Sequence, residues 1–173
     1  MAEFQRFTAP DAARLALDIA AARERLAQAR QRGDRLGSVD HAADLGSMLT
    51  TARQEAEALA VLTPHAGDAD SLASEEASAW FWCAYATALQ YLDRRDEAEP
   101  LFIKTLQLCR DGGWQKLQAM THQHWGRSLV EQGRLDDAQT QFAAALALRQ
   151  AMGDPRQASS QRALDGLAEL RRG

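Results

Sequence analysis

Cysteine is scarce in this chain: 173 residues contain only two, Cys83 and Cys109. They do not form a CxxC pair, which removes a thioredoxin-like motif and a cysteine-based zinc site. No segment approaches the ~18 consecutive apolar residues of a membrane-spanning helix. The opening MAEFQRFTAP lacks a basic stretch followed by an apolar run, so it does not read as a secretory signal. A reduced, cytoplasmic protein is the expectation. Positive charge is not in excess either. Twenty Lys and Arg stand against 24 Asp and Glu, a net charge of −4. A surface that neutralises phosphates needs the opposite balance, so nucleic acid is not an expected partner. Segments with period-two alternation or rich in β-branched residues are also missing, and strands are therefore not expected.

Hydrophobic residues make up 46% of the chain, and many of them are alanine, which favours helices in close contact. The length fits one domain, residues 1–173. Gly33-Asp34, Gly67-Asp68, Asp111-Gly112-Gly113 and Gly153-Asp154-Pro155 punctuate helix-friendly stretches and read as loops. Between Ala12 and Arg32 an amphipathic helix puts Leu15, Ile19, Ala22, Leu26 and Ala29 on one stripe. From Val39 to Leu62 the stripe Leu45, Leu49, Ala52, Ala56, Leu59 keeps phase and predicts one long helix despite Gly46. The next two segments each divide: Trp80–Leu92 and Ala98–Leu108 around Asp93–Asp96, then Met120–Glu131 and Ala138–Met152 around Gln132-Gly133-Arg134. Asp96 with Glu99, and Asp136 with Gln139, have the spacing of capping boxes. Pro100 follows at the end of the first turn, where it does least harm. A last helix is expected from about Gln157 to Arg171.

The chain repeats itself at a period of 40. Ala86, Gly126 and Gly166 share that spacing, and Gly46 extends the series backwards. Ala98 and Ala138 match, as do Phe102 and Phe142, Leu89 and Leu129, Tyr85 and Trp125, and Leu106 and Leu146. Close crossing of two antiparallel helices needs small residues, so Gly126 is expected opposite Ala138, with Trp125, Leu129 and Phe142 filling the flanks.

Tyr85-Ala86-x-x-Leu89 with Ala98-x-x-x-Phe102, and Trp125-Gly126-x-x-Leu129 with Ala138-x-x-x-Phe142-x-x-Ala145, resemble tetratricopeptide repeats of the long, 40-residue variety. Thr105 departs from the small residue expected there. The resemblance implies an all-α fold: antiparallel helix hairpins stacked as a short right-handed superhelix, an α-solenoid. Its parts would be an N-terminal hairpin or degenerate repeat over 10–65, repeats over 75–112 and 114–153, and a capping helix over 157–172. For the N-terminal half a plain helical hairpin is favoured, because no cap separates two helices within 38–65.

Candidate chemistry is sparse. His122 and His124 are two apart and point about 200° apart on a helix, so they do not share a metal. Asp40 and His41 are adjacent and diverge. Cys83 has no basic neighbour one turn away to activate it, and reads as packing. Gly112-Gly113 lacks a phosphate-loop context. No catalytic residue, cofactor or metal is expected. The resemblance implies a concave groove lined by the first helix of each repeat: Trp80, Cys83, Thr87, Gln90 and Tyr91 from one, Met120, Gln123, Arg127, Val130 and Glu131 from the next. Relatives that grip a C-terminal carboxylate use lysine and asparagine where this chain has Cys83, Thr87, Gln123 and Arg127, so that activity is not implied. The expected function is an adapter or scaffold, not an enzyme, that binds a peptide or helix of a partner protein. The alternatives are a peptide-responsive sensor acting on a separate output protein, or a self-associating module.

Overall fold

The computed structural model describes residues 4–172, and the regular structure in them is entirely helical. The contacts gather into two compact units, residues 7–112 and residues 113–172 together with 4–6.

The first unit contains α1 (Ala12–Gln31), α2 (Arg35–Thr51), α3 (Glu55–Leu62), a 3-10 turn (Thr63–His65), α4 (Ala66–Ser71), α5 (Glu76–Tyr91) and α6 (Arg95–Gly112). Asp11 caps α1 by accepting from the Arg14 backbone N–H at 2.9 Å. Ile19, Ala22, Leu26 and Ala29 are buried, as the 3–4 spacing predicts. α2 is the centre of the unit, packing on α1, α3 and α5. Val39, Leu45 and Leu49 of α2 meet Phe81 and Trp82 of α5 in one core. Each such large side chain contributes roughly 1.5–3 kcal/mol by leaving water.

The long helix expected over Val39–Leu62 does not form. It is cut at Ala52-Arg53-Gln54, where Arg53 takes φ +62°. Gln54 N–H donates to Leu49 O at 2.9 Å and Arg53 N–H to Thr50 O at 3.2 Å, a Schellman closure. After the turn the buried residues are Ala58 and Leu62, not the expected Ala56 and Leu59. The sequence hid the break because the left-handed position holds arginine instead of glycine. The loop expected at Gly67-Asp68 is also absent: both lie in α4, and the chain turns at 72–75 instead.

The second unit contains α7 (Gln115–Glu131), α8 (Leu135–Ala151) and α9 (Gln157–Leu170). Leu129, Val130, Ala138, Phe142, Ala163 and Leu167 form its core, with Phe4 packed against them. Gly126 makes room for Phe142, whose ring edge lies nearest to it. A Cβ at Gly126 would stand 2.5 Å from Phe142 Cε1 and 2.7 Å from Cδ1.

The capping boxes are not formed. α6 begins at Arg95 and α8 at Leu135, which moves Asp96 and Asp136 inside the first turn. There they face the positive end of the helix. The residue before each helix takes over the local pairing: Arg94 grips Glu97 through two bonds of 2.7 Å, and Arg134 Nε donates to Asp137 at 2.9 Å. With α6 starting at Arg95, Pro100 falls in the second turn and costs that helix one backbone bond.

Candidate binding surfaces

α5 is packed by α2, α3, α4 and α6, and it buries most of its circumference. Of the residues expected to line a groove, Cys83, Thr87 and Gln90 are buried. Thr87 Oγ1 donates to Cys83 O at 2.8 Å, one turn back. Trp80 is half-buried, and its indole N–H donates to Asp44 Oδ1 of α2 at 3.0 Å. The N-terminal helices therefore hold Trp80 in place. Tyr91 is half-buried at the end of α5. Trp82, two residues from Trp80, points into the core. It meets Phe81 edge-on at 5.2 Å between centroids, and the Lys104 ammonium lies 3.7 Å from its ring centre.

Asp44 belongs to a second arrangement. Ligand atoms of Asp40, His41 and Asp44 lie within 4.8 Å of one another, which corrects the expectation that Asp40 and His41 diverge. The sequence signal was present: Asp40 and Asp44 are one turn apart, and the flexible side chains close the remaining gap. Burial raises the Asp40 pKa, the Asp44 charge adds to the rise, and His41 opposes it. Among the described residues these three alone could hold a cation through His, Cys, Asp or Glu ligands. The cysteines offer no nucleophile: Cys83 and Cys109 are buried, and desolvation pushes Cys109 up to about 12.

On α7 the expected residues split in the same way. Met120 is half-buried, whereas Gln123, Arg127, Val130 and Glu131 are buried. Gln123 is the centre of a buried polar set. Its Oε1 accepts from Ser160 Oγ at 2.8 Å and from Arg149 Nη1 at 3.2 Å. Arg149 Nη1 also donates to Ser160 Oγ at 2.8 Å and to Arg156 O at 3.1 Å. Burial lowers the Arg149 pKa, and nearby Arg156 adds to this. Asp154 is held down at about 2, chiefly by its bonds to the Arg156 side chain and backbone. His124 lies beside these arginines. Desolvation, then Arg127 and Arg149, push its pKa down to about 3, so it is neutral at physiological pH. His122, on another face, sits 2.7 Å from Gln141 Oε1.

Glu131, at the end of α7, accepts the Phe4 backbone N–H at 3.3 Å. This contact joins sequence-distant residues, and neither periodicity nor a motif could show it.

No family model matches this chain, and no curated protein matches it. Among solved structures it is similar to the crystal structure of BtubC (BKLC) from P. vanneervenii, with a TM-score of 0.72 and 16% identity. The match covers 91% of this chain and 66% of BtubC, so this chain spans just under two thirds of that protein's length. The likeness is one of fold. Among the described residues, no helix is long and apolar enough to cross a membrane.

Proposed function

We propose that this chain is a protein-interaction module of tetratricopeptide-like hairpins, stacked as a short solenoid, which binds a peptide or helix of a partner protein. The observation that carries this is a shared register. Gly46 lies under Leu62 and Gly126 under Phe142; each pair is 16 residues apart, and the two glycines are separated by 80, twice the 40-residue period. The left-handed closures at Arg53, Asp93 and Gly133 are spaced by 40 as well. On this assignment residues 38–65 are a degenerate repeat and not one arm of a plain hairpin, since α2 and α3 follow the same spacing as α7 and α8.

Burial narrows the choice of contact residues. Cys83, Thr87, Gln90, Gln123, Arg127 and Glu131 have little surface to offer, whereas Trp80, Tyr91 and Met120 keep some. Aromatic and methionine side chains anchor interfaces well, so Tyr91 and Met120 are the residues to test. The test is capture of a partner from native lysate, then titration of the bound segment against wild type, Tyr91→Ala and Met120→Ala. At least tenfold weaker binding in one variant, with unchanged circular dichroism, is expected. Equal affinity in all three removes the assignment of those helix faces.

A further inference from the structure

Gly46 and Gly126 are each covered by a bulky side chain from the helix that follows. Gly166 of α9 is covered differently. Among the described residues no helix follows α9, and the chain's own N-terminal segment lies there instead. A Cβ at Gly166 would stand 2.5 Å from Gln5 Nε2 and 3.3 Å from Phe4 Cζ. The Phe4 ring lies 6.0 Å from Phe142 between centroids, tilted by 33°. Phe4 N–H donates to Glu131 Oε1 at 3.3 Å, and Gln5 Nε2 donates to Arg162 O at 3.1 Å. The Gln5 amide and the Phe4 ring on an irregular segment thus together cover Gly166 of α9, as Phe142 on a helix covers Gly126 of α7.

The hold is thin. Phe4 is only half-buried, Gln5 is exposed, and Phe7 just beyond is 60% exposed. Gln5 also takes φ +45°, a left-handed conformation that is unfavourable for a non-glycine residue. A short, largely exposed segment that carries a backbone penalty is readily displaced.

Resting on the interaction-module assignment above, we infer that the Gly166 seat on α9 is a peptide-docking site for an extended segment of a partner protein. The segment would place an aromatic side chain on Gly166 and Phe142 and a backbone N–H on Glu131. Phe4-Gln5 fills the seat in the free protein as a tethered competitor. The occupant's chemistry is set by the one occupant the site displays: a ring, a main-chain donor and a side-chain amide. Tethering gives that competitor an effective concentration on the order of millimolar, so wild type should resist an external peptide that a seat-emptied variant accepts.

The probe is a fluorescein-labelled peptide copying residues 2–8, titrated by anisotropy against the full chain. Phe4→Ala in the protein should bind it at least tenfold more tightly than wild type. The same peptide with alanine in place of its first phenylalanine should not bind. Gly166→Leu added to Phe4→Ala should remove binding. Because that variant could misfold, amide shift changes in the Phe4→Ala protein, centred on Glu131, Arg162 and Gly166, locate the site independently. No binding to Phe4→Ala, or equal binding to wild type and variant, overturns the inference. So does a wild-type dimer at tens of micromolar that Phe4→Ala dissolves, since a second copy would then be the occupant. A chain that captures its partner through Tyr91 or Met120 yet ignores the peptide loses this site and keeps the wider function; peptide binding without a captured partner does the reverse.

Discussion

Replacing Gly126 by alanine sets two known effects against each other. Alanine is favoured over glycine within a helix by about 1 kcal/mol. The added methyl, however, would stand 2.5 Å from Phe142 Cε1, 2.7 Å from Cδ1 and 3.0 Å from Cζ. Carbon atoms are comfortable at about 3.5–4 Å, so the ring edge must retreat by roughly 1 Å. Phe142 is fully buried beside Leu129, Val130, Ala138 and Leu167, and has nowhere to go. Overpacking of this kind costs about 1–3 kcal/mol. The helix gain offsets part of that, leaving Gly126→Ala destabilised by up to about 2 kcal/mol. Urea unfolding followed by tryptophan fluorescence and circular dichroism reads this as a midpoint lower by up to about 1 M at a typical denaturant slope. Gly46→Ala is the internal control, since it meets the branched end of Leu62 at 2.8 Å, and a leucine can rotate. Its loss should be the smaller of the two. Phe142→Leu in the Gly126→Ala background should cost less than in wild type, because the shorter side chain relieves the clash. A Gly126→Ala protein more stable than wild type, or additive behaviour of the two changes, refutes this packing.

Arg53→Gly removes a left-handed penalty and should stabilise the first unit by about 0.5–1 kcal/mol; a lower melting temperature would count against the Schellman closure. His124 should make the second unit sensitive to acid. Its folded pKa of about 3 lies below the ~6.5 of an unfolded histidine, so the unfolded chain takes up the proton first. The contribution is complete above pH 6.5 and drains as the pH falls toward 3, by a few kcal/mol at most. A stability profile between pH 6.5 and 4 that is unchanged in His124→Asn would contradict this. Both thiols should resist an aromatic disulfide reagent in the native protein and react fully in urea; fast native labelling would show that Cys83 or Cys109 is accessible.

The helical class and most helix positions were legible because burial on one face imposes a 3–4 spacing, which Ile19, Ala22, Leu26 and Ala29 display. What the sequence concealed followed physical rules that override such patterns. Arg53 and Asp93 accept a left-handed conformation because the closing hydrogen bonds outweigh its cost, so no glycine marks either turn. Asp96 and Asp136 look like caps, yet each helix starts two residues earlier than such a cap allows, and the charge serves the helix dipole instead. The expected groove residues follow from register alone. Register says which way a side chain points but not what already lies against it, and so Gln90 and Gln123 were found buried. Phe4 on Gly166, like the meeting of Asp40, His41 and Asp44, depends on how side chains settle in three dimensions.

Alanine-rich helix contacts are smooth, and smooth contacts let neighbouring helices slip by a turn at little cost. The trio of Gln123, Arg149 and Ser160 acts as a locating pin against that slip. If α8 moved one turn along α7 or α9, a guanidinium would be left dry and without acceptors, a penalty of several kcal/mol. The alignment of these three helices is therefore set by a handful of polar atoms, while the apolar majority supplies cohesion without an address.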